Sequence, residues 1–138
     1  MLVLDTDVVV AALRSSQGAS AALLDSVLVG RQSAALSVAM VLEYEAVALR
    51  AEHLVAGHLT EAEALKIIDA LVSVAQPVKP HFRWRPQLRD PGDELVLEAA
   101  VNAGAIAIVT FNRRHFLPAA HRFGLDVLLP REVLERSR

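Results

Sequence analysis

The sequence predicts an α/β domain built on a mainly parallel sheet. Three observations carry that expectation. Short apolar runs fit for buried strands alternate with longer segments whose apolar residues recur at helical spacing. Asp, Ser, Thr or Pro stands before the helical segments, and Gly closes two of them. No repeat or linker interrupts the pattern, and with 6 Gly and 6 Pro in 138 residues the chain reads as one domain spanning 1–138.

Leu2-Val3-Leu4 is the first strand, and Asp5 is placed to cap the helical run Val8 to Leu13. Val8, Val9 and Val10 are β-branched, so a longer strand competes there. Arg14 to Gly18 reads as a loop, and Ala19 to Leu28 as a helix with Gly30 beyond its end. Ala34-Ala35-Leu36 is the second strand. Ser37 then caps a helix carrying Met40, Val41, Tyr44, Val47 and Ala48, expected to reach about Leu54. Thr60 and Glu63 form a capping-box pattern ahead of a helix with Leu65, Ile68, Leu71 and Val72 on one face. Gln76-Pro77-Val78 ends that helix, and these two helices suit a hairpin outside the sheet.

Residues 79–90 are unusual, with Arg83, Arg85 and Arg89 beside Phe82 and Trp84; a strand is expected in their first part. Asp90-Pro91 is a helix entry, with Asp at the N-cap and Pro at the first helical position. That helix carries Leu95, Leu97, Ala99 and Val101 and stops at Gly104. Ala105 to Val109 is a strand ended by Thr110-Phe111-Asn112. A short turn or helix, a strand over Asp126 to Leu129 and a helix opened by Pro130 complete the chain.

Composition narrows the function. Hydrophobic residues make up 54% of the chain, which excludes a disordered one. Cys is absent, so there is no disulfide framework and no thiolate zinc site. No apolar run is long enough to span a bilayer and the first residues lack a basic segment, so a soluble, cytoplasmic protein is expected. The net charge of −2 argues against gripping nucleic acid over the whole surface. Any such contact must be local, with metal ions supplying positive charge.

In open α/β sheets, sites lie beyond the carboxyl ends of the strands. Those ends carry Asp5 and Asp7, Ser37 with Glu43 on the helix that follows, and Thr110 with Asn112; Asp93 stands in the first turn of the helix feeding the strand before Thr110. Carboxylates brought together repel one another, and an all-oxygen cluster favours a hard cation such as Mg²⁺ or Mn²⁺. A water held by that ion is a nucleophile suited to a phosphodiester.

Four segments, Val3-Leu4-Asp5-Thr6-Asp7-Val8, Glu43-Tyr44-Glu45, Arg89-Asp90-Pro91-Gly92-Asp93-Glu94 and Val109-Thr110-Phe111-Asn112-Arg113-Arg114-His115-Phe116, resemble in order the motifs of PIN-domain ribonucleases, most nearly the VapC-type toxins of toxin–antitoxin systems. The resemblance implies a three-layer α/β/α sandwich and a Mg²⁺- or Mn²⁺-dependent endoribonuclease that leaves a 5′-phosphate and a 3′-hydroxyl. It implies RNA as substrate, an antitoxin protein that blocks the site, and a homodimer. Asp5, Glu43 and Asp93 match the family's three metal-holding acids. Thr110 matches a hydroxyl that orients the first acid. Asn112 falls where many members carry a fourth acid; being neutral it accepts a hydrogen bond or ligates weakly. At the position of Asp7 members often have Asn or Ser, so Asp7 is expected to make a structural hydrogen bond.

Plainer readings stand beside these. Asp5 and Asp90 are good helix caps, Asp93 suits a helix dipole, and Glu43 suits a solvated face with Glu45 as competitor. The five His show no metal-ligand spacing and read as surface or loop residues. Arg83, Arg85 and Arg89 suit either phosphate or solvent, and Trp84 suits a base, the core or a partner. The alternatives to a nuclease are a catalytically inert PIN-like interaction module and a small phosphoryl-transfer protein, the latter weakened by the lack of a Walker loop or a Gly-x-Gly-x-x-Gly fingerprint.

Overall fold

A computed structural model of the chain describes residues 1–79 and 86–137. Among the described residues the order is β1 (Leu2–Leu4), α1 (Thr6–Arg14), α2 (Ala19–Leu28), β2 (Ala35–Leu36), α3 (Val38–Ala48), α4 (Ala51–Gly57), α5 (Glu61–Val74), β3 (Gln76–Pro77), α6 (Pro91–Ala103), β4 (Ala107–Val109), α7 (Arg113–Phe116), α8 (Ala119–Arg122), β5 (Asp126–Leu128) and α9 (Pro130–Arg136). β4 lies between β1 and β5, both parallel to it, with Leu4 opposite Val109 and Val109 opposite Leu128. β2 pairs in parallel with β3, and a bridge from Leu2 to Ala34 joins the two ladders. The strand order is therefore β3-β2-β1-β4-β5, with helices completing a three-layer α/β/α sandwich.

That order decides where a site can form. The chain builds outward from β1 to one side through β2 and β3, then crosses to the other side for β4 and β5. The reversal falls between β1 and β4, and in open α/β sheets the crevice at such a reversal, outside the carboxyl ends, is the place for a ligand. The ladder continues one residue past each strand: Asp5 N–H donates to Val109 O (2.9 Å) and Thr110 N–H to Leu128 O (2.9 Å). Asp5 and Thr110 thus emerge side by side.

β1 and β4 are buried throughout, and Val8, Val9, Val10 and Leu13 of α1 face the same core, so the helical reading of the valine run holds over the strand. Burial against the sheet outweighs the weak β preference of valine. The caps at Ser37, Thr60 and Asp90 form as expected, the second with both bonds of the capping box.

Two expectations fail. The helix after Ser37 does not run to Leu54: it breaks at Leu49 and Arg50, where Arg50 turns extended and α4 starts afresh. No Gly or Pro marks the break, which local propensity therefore hides. Val72 is exposed, and Ala64 joins Ile68 and Leu71 on the buried face of α5. Gln76 and Pro77, beyond the end of α5, form β3; the strand expected in the first part of residues 79–90 falls largely outside the described residues. Phe82, Arg83, Trp84 and Arg85 lie outside the described residues.

The break lets α4 press on the end of α1. A Cβ at Gly57 would collide with the carbonyl oxygen of Leu13 and lie 3.4 Å from Arg14 Cα. Glycine is required there by close approach. Gly57→Ala is expected to lower unfolding stability by about 1–3 kcal/mol, the usual cost of overpacking, measured by urea denaturation.

Candidate active site

At the sheet reversal the carboxyl of Asp5 is buried. Its Oδ1 accepts from Thr6 N–H (2.8 Å) and its Oδ2 from the Thr110 hydroxyl (2.7 Å). The single Thr110 proton goes to Asp5 rather than to Asp7 Oδ2, which lies 3.5 Å away. Thr110 Oγ1 accepts in turn from Asn112 N–H (2.9 Å). Behind Asp5, the wholly buried Tyr44 of α3 donates its hydroxyl to Leu4 O. Burial, with the charges of Asp5 and Asp7 adding to it, pushes the Tyr44 phenol well above its ordinary range, so it stays a donor.

Asp7 ties α1 to the turn after β4. Its Oδ2 accepts from Phe111 N–H (3.0 Å) and from Asn112 Nδ2 (3.1 Å). The structural hydrogen bond expected of Asp7 is present. The Asn112 side chain donates to Asp7 through its amide nitrogen, and a carboxylate in its place would face Asp7 as a like charge. The amide is the group that this neighbour needs.

Burial raises the Asp5 carboxyl above the ordinary range. Burial, then the Asp5 charge, pushes Asp7 up to about 7. The two carboxyls lie within hydrogen-bonding reach, and a proton between them favours ionised Asp5 at the expense of Asp7. Asp7 Oδ1 is buried and, without that proton, has no partner among the described residues.

Asp93 reaches the same cleft from the first turn of α6. Burial, with the charges of Asp5 and Asp90 adding to it, raises its carboxyl. The Asp90 side chain caps α6, accepting from Gly92 N–H (2.7 Å) and Asp93 N–H (3.2 Å). A Cβ at Gly92 would stand 3.0 Å from Asp90 Oδ1 and 3.8 Å from Glu43 Oε1, so α3 and the start of α6 converge here. Glu94 accepts from Leu88 N–H (2.9 Å) and anchors the approach to the helix.

Asp5, Asp7, Glu43, Asp90, Asp93 and Asn112 line one open cleft of about 450 Å³; Thr110 sits beneath it and Glu45 is outside. Residues 5, 43 and 93, from three separate stretches of chain, therefore meet at one face. The sequence reading missed His115. Its Nδ1–H donates to Asp93 Oδ2 (3.0 Å), and the ring lines the cleft. Its position two residues beyond the Arg113 start of α7 gave no periodic signal. Arg14, Arg50 and His53 were also missed and line the far end; Asp7, Val10, Ala11 and Arg14 all line the cleft at the i, i+3, i+4, i+7 spacing of one helix face. Arg89 lines an adjoining hollow with Arg114 and His115.

A PIN domain model matches residues 1–114. The chain belongs to the PIN-domain family. PIN domains are typically nucleases and generally use divalent metals. No curated protein matches the chain. In this PIN domain the donor set suits a hard cation: the lining acids are carboxylates, and the Asp5 charge adds to burial in raising the carboxyls of Asp7 and Asp93. Among the described residues, no three His, Asp or Glu side chains close on one point tightly enough to grip an ion unaided. Mg²⁺ keeps several waters and needs few direct protein ligands, so the set fits it without a closed cage.

Asp7 also sets a pH dependence. Its folded pKa lies above its unfolded value, so the stability linked to its proton is present below about pH 4 and is lost as pH rises through about 7. Asp7→Asn keeps the acceptor for Phe111 and supplies a permanent donor toward Asp5. Without divalent ions it is expected to raise stability at pH 8 by about 1–2 kcal/mol, after discounting for partial exposure, and to change little at pH 4. Thermal melts at the two pH values check this.

Proposed function

We propose that this PIN domain is a Mg²⁺- or Mn²⁺-dependent endoribonuclease acting on single-stranded RNA, of the kind found as the toxin in toxin–antitoxin systems. The observation that carries the reading is the convergence of Asp5, Glu43 and Asp93 on one cleft at the sheet reversal. These three residues would hold the ion. When bound, such an ion supplies Lewis-acid charge for phosphoryl oxygens and lowers the pKa of water. The protein's own groups do the positioning. Thr110 and Thr6 N–H fix the Asp5 carboxyl, Tyr44 fixes the strand end behind it, and Asn112 holds Asp7 in place. His115 orients Asp93. Hydrolysis in line at phosphorus leaves a 5′-phosphate and a 3′-hydroxyl.

The reading includes two protein contacts, an antitoxin and a second copy of the chain. The exposed Val38 (77%) and Leu42 (61%) on α3, next to an apolar groove of about 290 Å³ between α3 and α6, support such contacts. A cytoplasmic protein fits RNA as substrate, and among the described residues no helix is long and apolar enough to cross a membrane.

The open spacing of the acids favours one other reading, an inert PIN-like interaction module. One pair of measurements separates the two. The nuclease reading expects Mg²⁺ or Mn²⁺ binding by calorimetry and cleavage of unstructured RNA that Asp5→Asn lowers by about 10²-fold or more, with its melting temperature not reduced. Wild-type-rate cleavage by Asp5→Asn, or no ion binding by the wild type, overturns it. Thr110→Val, which removes the donor to Asp5 but keeps the shape, is expected to cost about 10–100-fold in rate.

A further inference from the structure

The cleft has a second, cationic end. Arg14 closes α1 and Arg50 stands at the break before α4. Both line the cleft, and among the described residues neither guanidinium is in a salt bridge. Arg14 is exposed yet held: it donates from a terminal nitrogen to His53 Nδ1 (2.8 Å), and the His53 side chain is only 16% exposed. That bond places the His53 proton on Nε2, 3.7 Å from Glu52 Oε1. The close approach at Gly57 brings α4 and α1 together, so the pairing is built by the backbone. A basic residue at a helix C-terminus also gains from the helix dipole. That accounts for Arg14 alone, and not for Arg50 or for a fixed guanidinium at the wall of the same cleft.

Asp7 and Arg14 are seven residues apart on α1, about 10 Å along the axis. That axial spacing corresponds to about three nucleotides of stacked strand at ~3.4 Å each. We propose that Arg14, positioned by His53 and joined by Arg50, holds a backbone phosphate of the RNA strand a few nucleotides from the bond that is cut. The proposal rests on the nuclease reading for its strand and direction, and adds a subsite that selects for length.

The test uses the full chain with two probes, a single-stranded oligouridylate of about ten nucleotides and the dinucleoside monophosphate UpU, which has no flanking phosphate. In Arg14→Ala the preference for the longer probe, the ratio of the two kcat/KM values, is expected to fall about tenfold, through KM rather than kcat. Oligouridylate binding, measured on the Asp5→Asn background so that the probe survives, is expected to weaken about tenfold, with its log–log salt slope shallower by about 0.7. Arg14→Gln keeps a donor for His53 without the charge and should behave like alanine in the salt slope, which separates lost charge from lost packing. An unchanged length preference and slope in both variants, with wild-type cleavage intact, overturns the subsite and leaves the nuclease; that is also the outcome if the arginines serve an acidic peptide. Arg14-dependent binding of oligouridylate by a wild type that does not cleave it overturns the nuclease and leaves the subsite. A wild type that neither binds nor cleaves the probe overturns both.

Discussion

The burial of two carboxyls at one strand end governs much of this molecule. Asp5 and Asp7 are taken out of water side by side: burial raises both carboxyls, and the Asp5 charge raises Asp7 further. Something positive must therefore come to them: a proton, a donor or a cation. The protein supplies donors in fixed number. Thr6 and Thr110 serve Asp5, while Phe111 and Asn112 serve Asp7. One oxygen of Asp7 is left for the mobile partner.

The sheet makes this arrangement possible and the helices hold it in place. With parallel strands all carboxyl ends fall on one edge, so residues 105 positions apart, Asp5 and Thr110, are joined by a single hydrogen bond. α6 packs across β1, β2 and β4 and brings its first turn to the same edge. Tyr44 reaches under β1 from α3, which fixes the face that Glu43 presents one residue earlier. Each acid is thus carried by, or directly caps, a helix packed on the sheet rather than standing in a long loop.

Much of this was legible in the residues. Asp5 follows a short apolar run and precedes a helix; Asp93 stands three residues after a cap; both patterns are local, and local chemistry can be read along a chain. Glu43 was separable from Glu45 only by the direction in which α3 turns its apolar side. The pairing of β1 with β4 is a long-range event, and no residue of either strand encodes it alone. The break at Arg50 was hidden for the opposite reason: Leu49 and Arg50 both favour helix, and tertiary packing against Leu13 overrides them. His115, Arg14 and His53 were passed over because their partners are distant in sequence. Asn112 lines the cleft, yet the hydrogen bond it donates depends on Asp7, whose place beside it is a consequence of the fold.

On the proposed nuclease reading, the division of the cleft into an acidic end and a cationic end would reconcile a net charge of −2 with a polyanionic substrate. Charge acts over roughly a Debye length, about 8–10 Å under physiological salt, so a phosphate meets the local field rather than the total. Along α1 that distance separates Asp7 from Arg14. At the first end a phosphate is repelled until a cation neutralises the carboxylates; at the second it is attracted whether or not a cation is present. A strand would therefore be held by its flanking phosphate at the cationic end, while Asp5, Glu43 and Asp93 would hold the ion that offsets charge at the phosphodiester to be cut. On the proposed nuclease reading, affinity falls to Arg14 on α1 and ion binding to Asp5, Glu43 and Asp93, and a mildly acidic protein would handle RNA without a basic surface.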